Sequence, residues 1–242
     1  MVRGYLVSAL LAALVAAGPI HAQSPVVTEK SAVREGFVFP ATGEVRVLLF
    51  RPDIKIGETT TAGLFQTQAE WHGAARSELV GALRAASERR GLKVSLHDEE
   101  NAALTEHRAL FRLVVSAAIR HKLFGRDPLP SKSGTFDWSL GSGVARIAPQ
   151  ADADYGLFLF SHDSFESAGR RAAQLVTALM GGANNGGAHF GYAALVDLGS
   201  GDILWLNVDL KASGDVRTPE GAASRIEQLL AGFPARAGQG QP

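Results

Sequence analysis

Serine, histidine and aspartate stand side by side in "SHDS", residues 161–164. These are the residue types of an acyl-transfer site, where histidine takes the proton of a serine and aspartate orients the histidine. Neighbours in a chain point in different directions, so adjacency alone does not assemble such a site. The chain also lacks a G-x-S-x-G elbow. The candidates for catalysis are His162 and Asp163. A polar strand-to-helix turn capped by Asp163 or Ser164 is the structural alternative.

The histidines show no metal-binding pattern. Six lie beyond the first 22 residues: His72, His97, His107, His121, His162 and His189. No two of them have the H-x-x-x-H spacing that puts two imidazoles on one helix face. "HDEE", residues 97–100, could bind a hard cation weakly, but acidic residues near a helix start are also favoured by the helix dipole. We therefore predict no metal and no cofactor.

A glycine-rich stretch, "LMGGANNGGAHFG", covers residues 179–191 and holds five glycines and two asparagines. A phosphate cradle places its glycines before a helix, so that backbone N–H groups converge on the anion. Here a predicted helix comes first, and no Lys-Ser or Lys-Thr follows the glycines. The stretch is predicted to be a helix C-cap with a flexible link. The alternative is a loop that contacts a partner through Asn184 and Asn185.

Alternating strands and helices must position these residues. Apolar runs predict buried strands at 45–50, 92–96 and 155–160, and a hairpin over 190–210 with its turn at 199–201. Spacings of three and four predict helices at 70–90 and about 102–124, a third ending near 180 after a cap at Ser164 or Ser167, and a last one starting at Thr218. The order β-α-β-α-β-α-β-β-α predicts the α/β (α+β) class, with helices packed on a single mixed β-sheet.

One αβ domain is predicted over residues 44–234, with a Pro/Gly-rich insertion at about 125–153. Residues 23–43 are predicted to form a flexible N-terminal lead, and residues 235–242 a disordered tail. Phe136 and Trp138 stand in the insertion among polar residues. They would either be exposed and serve recognition, or fold back onto the core. Together with Asn184 and Asn185 they are the candidate partner contacts.

The first 22 residues have the layout of a secretory signal peptide. Arg3 supplies a positive charge, "LVSALLAALVAA" at 6–17 is an apolar run, Gly18-Pro19 breaks it, and Ala22 offers a small residue for cleavage. The run is short for a bilayer span, although an uncleaved anchor is the alternative. We expect a mature chain that starts near Gln23, is periplasmic, and has no stable membrane span.

Composition excludes several functional classes. The chain contains no cysteine, which removes thiol catalysis, thiolate metal sites and lipid attachment at a cysteine. It has 24 Lys+Arg and 24 Asp+Glu, so loss of Arg3 leaves a net charge of −1. A near-neutral chain gives no support to nucleic acid as a partner.

The C-terminal half resembles a group of bacterial envelope domains. "ADYGLFLF" and "GYAALVDLGSGDILWLN" match the strand and hairpin of small αβ domains in the curli secretion lipoprotein CsgG, the TolB N-terminal domain and lipoprotein activators of penicillin-binding proteins, with Asp197, Gly201, Asp202 and Trp205 in the matching positions. The "SAGRRAA" helix with this hairpin is also similar to a set of proteobacterial secreted proteins. The resemblance implies a periplasmic, non-enzymatic assembly domain. Many of those proteins are anchored through a lipidated cysteine, which this chain lacks.

These observations give two functional hypotheses. The first is a soluble periplasmic αβ domain that is a binding or assembly component of the cell envelope, and whose partner is an envelope protein or a second copy of the chain. The alternative is a periplasmic hydrolase with a site near Ser161, His162 and Asp163.

Overall fold

The fold was obtained as a computed structural model that describes residues 29–97, 102–125, 127–132, 134–147, 151–179 and 187–237. These residues form a mixed α/β fold, one open sheet of eight strands with four helices, as the sequence predicts. The strands are β1 Glu29–Val33, β2 Arg46–Phe50, β3 Asp53–Thr59, β4 Phe65–Thr67, β5 Lys93–His97, β6 Tyr155–Glu166, β7 His189–Asp197 and β8 Ile203–Asp209. The helices are α1 Ala69–Arg89, α2 Ala102–Ala118, α3 Ala168–Leu179 and α4 Pro219–Leu229.

The long strand β6 is the centre of the sheet. The spatial order is β1-β8-β7-β6-β2-β5, with β3 also paired to β6 and β4 paired to β3. On one side β6 runs parallel to β2 and β3, and on the other it runs antiparallel to β7. The hairpin β7–β8 and the strand β1 complete the antiparallel half. Strand direction therefore changes at β6.

Strands β2 and β3 lie one after the other along β6, separated by a short break. β2 pairs with residues 155–157 of β6, and β3 pairs with residues 160–166. Pro52 stands in the break, where its missing N–H removes a ladder hydrogen bond. The break lets one segment of chain pair with both ends of β6.

Helices α1 and α4 cover one face of the sheet. Their buried residues repeat at helical spacing and meet the strands in one core cluster: Leu79, Leu83, Ile226 and Leu229 from the helices, with Leu157, Leu195 and Trp205 from the sheet. Trp205 is fully buried and makes an edge-to-face contact with Phe233. Trp205 therefore lies on the helical side of the sheet, in the core that α1 and α4 cover.

Helix α2 and the described part of the 125–153 insertion cover the other face. This second cluster includes Phe111 and Val115 of α2, Phe158 of β6, and Phe136 and Trp138 of the insertion. Two backbone hydrogen bonds attach the insertion to the β7–β8 hairpin: Leu140 N–H donates to Gly201 O, and Ile203 N–H donates to Trp138 O. The insertion is thus a layer of the core.

Local sequence signals set several helix ends. After α1, Gly91 N–H donates to Glu88 O and Leu92 N–H to Ser87 O, and Gly91 has a φ of 70°, which together make a Schellman ending. At α4, Thr218 Oγ1 accepts a hydrogen bond from Gly221 N–H, and Pro219 begins the helix. Both ends are those that the sequence predicts.

Three strands were not predicted. β1 lies inside the expected N-terminal lead, where it pairs along the sheet edge with β8, and the predicted element order also omits β3 and β4. Ile54 and Ile56 of β3 are buried and Lys55 between them is exposed, which is a strand alternation. β1 and β4 carry weak patterns because an edge strand is fixed mainly by backbone pairing. Asn184, Asn185 and residues 238–242 of the predicted tail lie outside the described residues.

Among the described helices, none combines the length and apolarity that crossing a membrane would need.

Candidate functional site

Strand geometry separates the catalytic candidates onto opposite faces of the sheet. β6 continues to Glu166, so Ser161, His162 and Asp163 are strand residues and their side chains alternate. Ser161 and Asp163 point towards α4, where both contact Arg225. His162 points to the other face. The three side chains therefore do not form one site, and neither Asp163 nor Ser164 is a helix cap. Ser167 caps α3 instead, since its Oγ accepts from Arg170 N–H at 3.3 Å.

The carboxylate of Asp163 is held by a buried guanidinium. Arg225 Nη2 donates to Asp163 Oδ1 at 2.8 Å, and Nη1 donates to Oδ2 at 3.1 Å. Ser161 Oγ donates to Asp163 Oδ2 at 2.6 Å and accepts from Arg225 Nη1 at 2.6 Å. All three residues are buried, with Asp163 and Arg225 fully excluded from solvent. Such a pair is tolerated only when the hydrogen bonds satisfy both charges.

His189 completes this cluster from the neighbouring strand. It lies directly opposite Asp163 in the β6–β7 register, and its Nδ1 is 3.0 Å from Asp163 Oδ1. About a quarter of its side chain is exposed. Burial by itself raises the pKa of Asp163, but the hydrogen bonds from His189, Arg225 and Ser161 and the charge of Arg225 lower the pKa overall. We call Ser161, Asp163, His189 and Arg225 the buried polar cluster.

The buried polar cluster has part of the geometry of a hydrolase site, but none of its four residues is an activated nucleophile. A carboxylate that accepts from Nδ1 leaves Nε2 of His189 as the proton acceptor, which is the role of a general base. Ser161 Oγ, however, gives its proton to Asp163 and is enclosed, so His189 does not activate it. The sequence did not identify His189 or Arg225 as site residues, because they lie 26 and 62 positions from Asp163.

A cation–π stack lies beside the cluster. The guanidinium carbon of Arg217 is 4.2 Å from the ring centres of both Trp71 and Phe165. Asp215 accepts two hydrogen bonds from the side chain of Arg217, and the first cause of the lowered pKa of Asp215 is this contact. Phe165 also meets the His189 ring edge to face at 5.0 Å. The stack therefore fixes the rings beside His189.

His162 lies on the opposite face between two aromatic rings. Its ring centre is 4.8 Å from Phe190 and 5.0 Å from Phe65. Burial lowers the pKa of His162, and the nearby Lys55 and His189 lower it further, whereas Asp163 opposes the shift. The neutral imidazole is thus favoured in the folded protein. A partner for acid–base chemistry with His162 is not visible among the described residues.

The two aromatic residues of the insertion, Phe136 and Trp138, are buried. Phe136 and Trp138 are 4% and 8% exposed, so of the two alternatives the structure shows the packing onto the core. As buried rings they are not available for partner contact in this conformation.

In the described residues no group of three or more histidine, aspartate and glutamate side chains could hold a metal ion.

Helix α3 has its amphipathic faces reversed relative to an ordinary surface helix. The polar side faces the body of the protein: Arg170 forms an ion pair with Glu166, Gln174 Nε2 donates to Glu166, and Arg170 Nη1 donates to Thr60 O. The apolar side faces solvent, with Leu175 63% and Val176 57% exposed. A surface helix normally does the opposite.

Most of the described side chains of α3 are exposed, and the apolar ones with the largest side chains lie on one strip of the helix. At 100° per residue, Arg171, Ala172, Leu175 and Val176 fall within an arc of roughly 140°, and all four are exposed. We call these four residues the α3 apolar face. A contiguous apolar patch of this kind on a folded chain is typical of a binding surface. The sequence predicted the helix but not which side it turns to solvent.

Together the sheet and its helices define a mixed α/β domain that exposes the α3 apolar face. No family model and no curated protein matches the chain. Among solved structures, the chain is similar to the PelC dodecamer from Paraburkholderia phytofirmans, with 14% identity, a TM-score of 0.40, and coverage of 86% of this chain and 98% of that one. A single-substitution variant of the same PelC dodecamer gives 12% identity, a TM-score of 0.39, and coverage of 86% and 99%. Similarities this low assign neither a family nor a function, and the resemblance to the envelope domains stays a prediction.

Proposed function

We propose that this protein is a non-enzymatic binding component of the bacterial periplasm, and that it contacts a protein partner in the cell envelope through the α3 apolar face. The observation that supports binding is the reversal of α3. Full burial of a leucine or valine side chain is worth about 1.5–3 kcal/mol, and Leu175 and Val176, which are 63% and 57% exposed, lack roughly half of it. A partner that covers the stripe recovers this free energy.

The polar contacts that attach α3 to the protein also support a binding role for its exposed side. Ser167 N–H donates to Thr59 O, Ser167 Oγ caps the helix, and Arg170 holds Glu166. These bonds fix the start of the helix and its rotation. The apolar side is therefore presented to solvent by specific polar contacts on the opposite side.

The buried polar cluster gives the hydrolase alternative less support than α3 gives the binding role. His189 has an orienting carboxylate, but Ser161 is enclosed and already bonded on both sides. His162 lies across the sheet. A buried carboxylate paired with a guanidinium is also what a structural cross-link between β6, β7 and α4 would require.

Site-specific photo-crosslinking in periplasm-containing cells tests the proposal. A photoreactive amino acid at Leu175 should give a discrete crosslinked product. The matched control is the same amino acid at Thr177, which is exposed on the other side of the same helix. Equal products at both positions, or none at Leu175 while the protein is folded and exported, would count against the α3 apolar face as a contact surface.

A further inference from the structure

A cleft lies at the end of the sheet opposite to α3. Its volume is about 400 Å³, and its walls come from the insertion, the start of β6 and the β7–β8 turn. The lining residues are Val144, Ala145, Ala151, Ala153, Asp154, Asp197, Leu198 and Gly199. The side chains are mostly small and apolar, with two carboxylates among them. We call this site the acidic cleft.

The rim of the acidic cleft is negatively charged. Asp152, which neighbours the cleft, and Asp154 both form ion pairs with Arg46, so these two carboxylates share one guanidinium. Asp197 Oδ1 instead accepts hydrogen bonds from the backbone N–H groups of Gly199 and Ser200. Burial raises the pKa of the Tyr155 hydroxyl, and the carboxylates of Asp154 and Asp197 raise it further, as expected beside negative charge. The cleft thus offers an apolar floor with a negative edge.

The α3 apolar face has the complementary chemistry. Leu175, Val176 and Ala172 supply apolar groups, and Arg171 supplies a positive charge at the edge of the stripe. Placed against the acidic cleft, the aliphatic side chains would meet alanine, valine and leucine, while Arg171 would meet the aspartates. Opposite charges at the edge of an apolar contact fix its orientation.

The two surfaces of a single chain cannot meet. Asp154 precedes the first residue of β6, and α3 begins two residues after the last one. A strand of twelve residues is roughly 40 Å long. The surfaces therefore lie at opposite ends of the molecule.

We propose that the α3 apolar face of one molecule docks in the acidic cleft of a second copy of this chain, head to tail. This inference rests on the proposed function, since it names the partner of the same surface. Such a contact joins two different patches, and every added copy leaves one face and one cleft free. The assembly can therefore continue beyond a dimer.

The test is sedimentation of two complementary variants. The first variant, Leu175→Glu with Val176→Glu, removes the apolar face. The second, Ala145→Arg, changes an exposed lining residue, so that the new side chain fills the cleft and its charge repels Arg171. Ala85→Arg, on the exposed side of α1, is the matched control. We expect the wild type and the control to form species larger than a dimer as concentration rises, and each of the two variants to remain monomeric. An equimolar mixture of the two variants should form a dimer and nothing larger, because one intact face and one intact cleft remain.

Two results would overturn the inference. One is a wild-type chain that stays monomeric at its highest soluble concentration, and the other is a mixture of variants that stays monomeric or forms the full assembly. If the wild type is monomeric while Leu175 crosslinks to a different protein, the proposed function stands and the head-to-tail contact fails. Native circular dichroism spectra of both variants ensure that a monomer is a folded monomer.

Discussion

Asp163 and His189 face each other across the β6–β7 pairing, with Oδ1 of the aspartate 3.0 Å from Nδ1 of the histidine, although 26 positions separate them in the chain. Arg225 of α4 holds the same carboxylate with two further hydrogen bonds. One buried charge thus connects two strands and a helix. The "SHDS" sequence belongs to a strand that pairs with β3 on one side and with β7 on the other.

The ion pair can be tested by removing one or both charges. Asp163→Asn leaves the Arg225 guanidinium buried without its counter-charge and should lower the free energy of unfolding by about 3–5 kcal/mol. Replacing both residues, as Asp163→Leu with Arg225→Met, should cost less than Asp163→Asn alone, because no buried charge is left. Urea titration followed by tryptophan fluorescence measures both. A double variant less stable than Asp163→Asn would mean that an unpaired buried charge is not the main cause of the loss.

The same carboxylate should contribute to acid sensitivity. Because the pKa of Asp163 is lowered in the folded protein, its contribution to stability is present above the unfolded value of 3.8 and is lost as the pH falls through the lower folded pKa. The difference in unfolding free energy between the wild type and Asp163→Asn should therefore shrink in strong acid.

His162 predicts a second pH dependence, nearer neutrality. Its pKa is lowered below 6.5 by burial, so the unfolded chain binds the proton more tightly than the folded protein. Stability from this residue is present above pH 6.5 and is lost as the pH falls through the folded pKa. The wild type should lose stability over this window relative to His162→Gln. Parallel profiles for the two proteins, measured as unfolding free energy against pH, would show that His162 is not shielded from water.

Trp205 is predicted to be a major contributor to the core. It is fully buried between α1, α4 and Phe233, so Trp205→Ala should cost roughly 3–5 kcal/mol by the usual range for large core truncations. Thermal unfolding and urea titration give the value. A loss below about 1 kcal/mol with an intact fold would place the side chain at the surface.

The two glycines of the β7–β8 turn should differ in how much stability is lost when each is replaced by alanine. Gly201 has a φ of 81°, and a Cβ there would lie 2.1 Å from Gly141 O of the insertion. Gly201→Ala should therefore cost roughly 1–3 kcal/mol or more from backbone strain and the clash. Gly199→Ala is the matched control, because the nearest atom to its Cβ, Asp197 Oδ1, is 3.3 Å away. Equal losses in the two variants would argue against the docking of the insertion on this turn.

The prediction that the protein is exported rests on its amino-terminal sequence. N-terminal sequencing of the protein from a periplasmic fraction should begin at or near Gln23, since Ala22 supplies the small residue at the cleavage site. Recovery of an intact Met1 from the membrane fraction would instead indicate the uncleaved anchor.

The sequence by itself determined the mixed α/β class, the bounds of α1 to within a residue, the β7–β8 hairpin and the N-cap of α4. These features depend on short-range physics. Leu79 and Leu83 repeat at the helical period, Thr218-Pro219 satisfies a helix start, and Gly201 permits the positive φ of the turn. Each signal lies within a few residues of the structure that it specifies.

Only the tertiary structure decided the candidate site. The residue types made His162 and Asp163 catalytic candidates, but a strand sends neighbours to opposite faces, and the partners of Asp163 come from β7 and α4. The side of α3 that meets water was equally undetermined, because an amphipathic pattern gives two faces and does not say which one packs. Contacts between Glu166, Arg170 and Gln174 turn the polar face inward. These pairings join residues that meet only when the strands are registered and the helices packed.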